Sequence, residues 1–384
     1  MPIYHRLGEL PKKRHQVMPK ADGSIHFEQL MGNKGFVGPS SLLYHLRYPT
    51  ELHGVKDLGS CAIETAEPGE LRHRHYRTGE MKTGGSLVLD RQPLLFNDDC
   101  AIWHAQPDVC DEFFYRNGQA DELVYVVAGE GTLHSQMGRL EYRSGDYVVI
   151  PRGIIHRWRW KQEAPRLLIV ESRGHVRTPE RYRNEFGQML EGAPFNERDM
   201  RRPQELETFD ETGEFRIVTR QADRLTEMLM HHHPFDVVGW DGHYYPWAFS
   251  IHDFEPKVAA FHLPPPVHQT FEADGFVVCS FCPRPFDFGP DAVPAPYFHS
   301  NVWTDEVLFY ASEEFMSRKG IGFGSVTLHP DGFPHGPQPG RMEDSIGVDW
   351  TDELAVMVDT FKPLKIAKTA QEVEDSDYWK SWQP

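Results

Sequence analysis

The stretch "GDYVVIPRGIIH", residues 145–156, returns in the same chain as "GSVTLHPDGFPH", residues 324–335. Both fit one frame, G-x5-P-x-G-x2-H. Gly145, Pro151, Gly153 and His156 answer to Gly324, Pro330, Gly332 and His335. A second matched block precedes each. "FYRNGQADELVY" (114–125) sets Asn117 five residues before Glu122, and "FHSNVWTDEVLFY" (298–310) sets Asn301 five residues before Glu306. Two blocks in the same order make the chain a tandem duplication of one module.

The module reads as β structure. Residues 112–160 alternate apolar and polar positions with period two, broken by glycine and proline turns, which predicts strand, turn, strand. Gly 32, Pro 30 and 12% aromatic residues fit short strands better than long amphipathic helices. Residues 1–100 hold mixed short segments. From about 175 to 230 the text is charged and arginine-rich, suiting a connecting excursion with some helix. Strand-like text resumes from about 245 to 362, and the acidic tail carries a short helix. The expected division is 1–215 and 216–384, each with one module. In a small antiparallel barrel inward positions come from every strand, so distant residues converge on one interior point.

The copies differ where chemistry would sit. The second supplies His299, Glu306 and His335, two imidazoles and a carboxylate. The first keeps Glu122 and His156 but has Tyr115 in place of the leading histidine, so it is expected to retain the fold without a metal. Two imidazoles and one carboxylate leave coordination positions open, which suits non-haem Fe(II), with zinc and manganese as the rivals. Asp305 should point away from Glu306, its neighbour along the strand. His329, whose sister is the apolar Ile150, is expected behind the ligands or against a substrate. Tyr297 and Trp303 flank the ligand set.

The paired "H…E" and "G…P.G..H" blocks resemble the two-block signature of the cupins, small antiparallel barrels that often carry a metal. That resemblance implies a mainly β, tandem cupin (bicupin) architecture with a few short helices. The stretches "PFDVVGWDG", "FHLPPPVHQTFE", "PYFHSN" and "TLHPDGFPHGPQPG" further resemble the homogentisate 1,2-dioxygenase family, most strongly over residues 231–340. The family resemblance implies Fe(II) held by His299, Glu306 and His335. It implies a substrate-contacting and catalytic role for His329, and a catalytic histidine at His262, with His268 the alternative. Tyr297 is expected to bind substrate. The implied reaction opens the ring of 2,5-dihydroxyphenylacetate with O2, giving maleylacetoacetate in tyrosine and phenylalanine breakdown, in a homo-oligomer (trimer or hexamer). A gentisate-like acid, or a zinc or manganese cupin isomerase or hydrolase, is the alternative. The chain departs from better-known members in being shorter, in lacking "GFGNEF", and in one extra residue between His299 and Glu306.

Composition narrows the partners. With 40 basic and 57 acidic residues the net charge is −17, which disfavours nucleic acid and anionic membranes. A small aromatic acid is not excluded, because a buried cation acts locally. Five cysteines and an N-terminus without an apolar signal core point to a reduced, cytoplasmic protein. Cys279 and Cys282 read as packing rather than as a zinc pair.

Overall fold

The computed structural model describes residues 3–313 and 315–383. Nearly all of its regular structure is β. Among the described residues α-helix is limited to Arg341–Ser345 and Lys368–Gln371. No described helix is long and apolar enough to cross a membrane. The alternating stretch forms Phe114–Asn117, Asp121–Ala128, Gly131–Ser135, Gly138–Tyr142, Asp146–Ile150 and His156–Trp160.

The repeated frame has a backbone cause. Gly145, Gly153, Gly324 and Gly332 have φ of +86°, +86°, +82° and +68°, a region that a Cβ makes costly. The cross-strand register repeats as well. Glu122 pairs with Ile150, and Glu306 with His329. Tyr115 pairs with His156, and His299 with His335. Outside the strands, Gly153 N–H donates to Asn117 O and Gly332 N–H to Asn301 O, each at 2.8 Å. The acid before each glutamate turns outward to cap the same turn: Asp121 accepts from Arg152 N at 2.8 Å, Asp305 from Asp331 N at 2.7 Å. Asp305 therefore points away from the site, as period two requires.

The strands lie in open sheets rather than closed barrels. The six-stranded sheet carrying the second site runs Gln269–Ala273, Phe276–Phe281, Ala355–Thr360, Asp305–Tyr310, Ser325–His329 and Arg74–Arg77. Its last strand comes from near the N-terminus. Reciprocally, Trp247–Ser250 pairs with Asp146–Ile150 in the eight-stranded sheet of the first copy, whose far edge is Lys365–Ile366. Each copy thus covers a sheet edge with a strand from the other half of the chain, leaving fewer unpaired N–H and C=O groups.

This corrects the division at 215/216. That cut falls inside the strand Thr212–Gln221, which pairs with both Phe114–Asn117 and Arg224–His232. The charged excursion from 175 to 230 ends in this hairpin, and its helical content is short 3-10 turns such as Glu180–Tyr182. The two copies also share a core. Tyr125 meets the Phe309 ring at 6.1 Å, Tyr147 meets Phe271 at 5.1 Å, and all four side chains are buried.

Candidate metal centre

Glu306 is the second residue of the strand Asp305–Tyr310, and its inward face follows from the outward one of Asp305. His299 and His335 are locked opposite each other by reciprocal backbone hydrogen bonds of 2.9 and 2.8 Å. Glu306 Oε2 lies 3.8 Å from His299 Nε2 and 3.4 Å from His335 Nε2. The three ligand atoms all fall within 4.8 Å of one another. Two atoms bonded to one ion at about 2.1 Å can be at most about 4.2 Å apart. Both glutamate–imidazole separations meet that limit, and the whole set does so after a sub-ångström shift.

The second ring nitrogens prepare the set. His299 Nδ1 faces Tyr297 O at 3.2 Å and His335 Nδ1 faces Phe333 O at 3.1 Å. A proton donated to these carbonyls leaves each Nε2 lone pair free for a cation. His335 Nε2 is buried and has no hydrogen-bond partner. Burial alone would push the Glu306 carboxyl up, yet the three imidazoles of His299, His329 and His335 around it hold it well below the ordinary value. The Glu306 carboxylate raises the His299 imidazole against the effect of burial. A carboxylate kept ionised beside two imidazole lone pairs is a divalent-cation donor set, so the residues fit the expected ion.

His329 is fully buried, with Nδ1 2.7 Å from Glu306 Oε1 and its ring stacked on His335 at 4.8 Å. Burial and then Arg318 push it down to about 3, so it is neutral and donates to the carboxylate. Of the two expected placements, the geometry sets His329 behind Glu306, and the described wall of the adjoining cavity does not include it. His73 packs edge-on against it at 5.4 Å, with Trp382 beyond.

That cavity opens beside His299 and Glu306 and is walled by His262, His268, Arg284, Arg318, Phe281 and Phe315, among others. Both candidate histidines therefore reach it. His262 Nδ1 lies 3.4 Å from Asp287 Oδ2, and its Nε2 has no partner. Among the described residues His268 has no such carboxylate, and burial followed by Arg284 pushes it down to about 3. Tyr297 is 55% exposed and meets His262 edge-on at 4.8 Å. It borders an outer neighbouring cavity and not the one beside Glu306. Trp303 is 83% exposed and touches neither cavity.

The sister position is filled by a side chain the repeat did not point to. Arg91 donates to Glu122 Oε1 at 2.8 Å, to Glu171 Oε1 at 2.7 Å and to the Tyr115 hydroxyl at 3.0 Å. Asn117 donates to the same two carboxylates. A guanidinium thus stands among these acids where the second copy presents its ligands. Burial would raise the Glu122 carboxyl, and Arg91 brings it below its ordinary value. Glu171 had a legible counterpart: it pairs with Glu122 as Asp359 pairs with Glu306. Asp359 lacks an arginine, and burial together with Glu306 raises its carboxyl well above the usual range.

A protein of Saccharolobus solfataricus named "Putative dioxygenase SSO1533" is 43% identical over 385 residues, covering 100% of this chain and 99% of that protein. The family model "Homogentisate 1,2-dioxygenase N-terminal" matches residues 98–251. The chain belongs to the homogentisate 1,2-dioxygenase family. The homogentisate 1,2-dioxygenase of Emericella nidulans is 26% identical over 310 residues, 74% of this chain and 66% of that one. Among solved structures, a cupin 2 conserved barrel domain protein from Leptotrichia buccalis is similar at TM-score 0.35 with 9% identity, covering 78% of this chain and 100% of that one. A variant of Bacillus subtilis oxalate decarboxylase reaches TM-score 0.36 with 10% identity, covering 77% and 79%. Neither structural likeness is close enough to bear on the site.

Proposed function

We propose that the protein is a non-haem Fe(II)- and O2-dependent dioxygenase that opens the ring of 2,5-dihydroxyphenylacetate (homogentisate) to give maleylacetoacetate. The observation that carries this is the meeting of His299, Glu306 and His335, the first two at the wall of a cavity that also holds His262. Membership of the family supports it.

Bound iron would supply open positions for a substrate oxygen and for O2, and a path for electrons from the ring to O2. The rest is the work of the chain. His299 and His335 present Nε2 because their Nδ1 protons are committed to backbone carbonyls. His329 fixes one oxygen of Glu306 and leaves the other for the ion. His262 accepts a phenolic proton at Nε2, and Asp287 beside its Nδ1 stabilises the imidazolium that forms. Phe281, Leu308, Phe315 and Met357 give the cavity apolar walls that limit water. Tyr297, edge-on to His262, would act at the cavity mouth and hold that ring in place. The same reading takes the enzyme to be a cytoplasmic homo-oligomer, for which exposed aromatic residues such as Phe36 and Phe186 offer contact area.

The test is an anaerobic titration of the ferrous protein with 2,5-dihydroxyphenylacetate and with 2,5-dihydroxybenzoate, followed by air. A strongly absorbing enol product from the first compound alone supports the proposal. Product from the second alone moves the substrate to a gentisate-like acid, and product from neither refutes ring cleavage.

A further inference from the structure

Two arginines reach the cavity beside Glu306, and they are in different electrostatic situations. Arg284 donates to Glu353 Oε1 at 2.5 Å and is neutralised by it. Arg318 is 5% exposed and has no carboxylate within ion-pair distance among the described residues. Its Nη1 donates to three uncharged oxygens: Gly336 O at 2.8 Å, Ser317 O at 3.2 Å and Ser317 Oγ at 3.0 Å. Among the described residues its Nε is buried without a partner, and the Tyr310 hydroxyl also lies against the guanidinium. A buried guanidinium that Glu306 favours from a distance, but that is bonded only to uncharged groups, keeps the capacity to pair with an arriving anion.

We infer that Arg318 is the cation that receives the carboxylate of the substrate, so that the site selects aromatic acids over their neutral analogues. The inference rests on the dioxygenase reading only for what happens to the ring. Glu306 and Arg318 carry opposite charges without an ion-pair contact, and a divalent ion held by the ligand set would add two positive charges beside them. A dianion carrying one carboxylate and one phenolate matches that excess. The phenolate faces the ligand set and the carboxylate faces the arginine. A planar guanidinium suits a carboxylate, which accepts two parallel N–H bonds from it. Arg284 is not equivalent, because an arriving anion would have to compete with Glu353.

Arg318 also braces Gly336, the residue after His335, so the test must separate recognition from bracing. Equilibrium binding of 2,5-dihydroxyphenylacetate and of its primary amide is measured by calorimetry, in the metal-free protein and in the anaerobic ferrous protein. In the native sequence the acid should bind about tenfold to a hundredfold more tightly than the amide in both forms, the range of a charge-assisted hydrogen bond. In Arg318→Gln that preference should vanish while amide affinity stays within about threefold; Arg318→Lys should keep part of the preference. Equal affinities for acid and amide in the native protein overturn the assignment without any variant. Equal losses for both ligands in Arg318→Gln overturn it too, because the residue is then only a brace. Acid selectivity without ring cleavage in air would refute the dioxygenase reading and leave this assignment standing.

Discussion

Replacing Arg91 with methionine removes one guanidinium from a pocket that holds two carboxylates. The Arg91, Glu122 and Glu171 side chains are each only 3–5% exposed. Taking one partner from a buried ion pair costs about 3–5 kcal/mol, because the remaining charge keeps its desolvation penalty. Arg91 bonds both acids, so Arg91→Met should lower unfolding free energy by about 5 kcal/mol, the upper end of that range. The assay is urea denaturation followed by circular dichroism, with the midpoint and slope fitted separately. Adding Glu122→Gln to Arg91→Met should recover most of the loss, since Glu171 keeps the buried Arg220 guanidinium at 3.7 Å and Glu122 is the carboxylate left without a cation. A loss below about 1 kcal/mol for the single variant, the scale of an exposed pair, would refute the reasoning. So would a double variant no more stable than the single one.

Three further outcomes follow. Acid lability should begin near neutrality: burial pushes His104 down to about 4 and His268 to about 3, against about 6.5 in the unfolded chain. The unfolded chain then takes up protons that the folded one refuses, so stability is complete above about pH 6.5 and falls as pH drops from there toward the folded values; a Tm that rises between pH 7 and 5 would contradict this. His262→Gln should lower kcat about a hundredfold or more, the scale of a lost general base, and His268→Gln much less; the reverse order would transfer the role to His268. His329→Ala should weaken metal affinity about 10–100-fold, as loss of a ligand-orienting partner does, while circular dichroism stays native; unchanged metal affinity would remove His329 from that role.

What the sequence disclosed and what it hid follow from the range of the interactions. The frame through Gly145 and His156, repeated at Gly324 and His335, was legible because positive-φ turns are local and only glycine adopts them freely. Glu306 and Asp305 were assigned to opposite faces by period two alone. The exchange of Arg74–Arg77 and Trp247–Ser250 between sheets was not legible, because edge pairing joins segments far apart and leaves no periodic mark. Arg91 lies on no repeated position, so nothing local distinguishes it from a surface arginine. Arg318, in "MSRKG", reads as a solvated loop residue until the fold buries it. His329 stands out in the sequence because its sister is Ile150, yet only the cross-strand pairing shows that it faces Glu306.

The most direct measurement is metal stoichiometry by elemental analysis after anaerobic loading with Fe(II) and desalting, on the native chain and on Glu306→Gln and His335→Ala. The account predicts one iron per chain in the native protein and almost none in either variant. Two irons per native chain, or one retained in either variant, would contradict it.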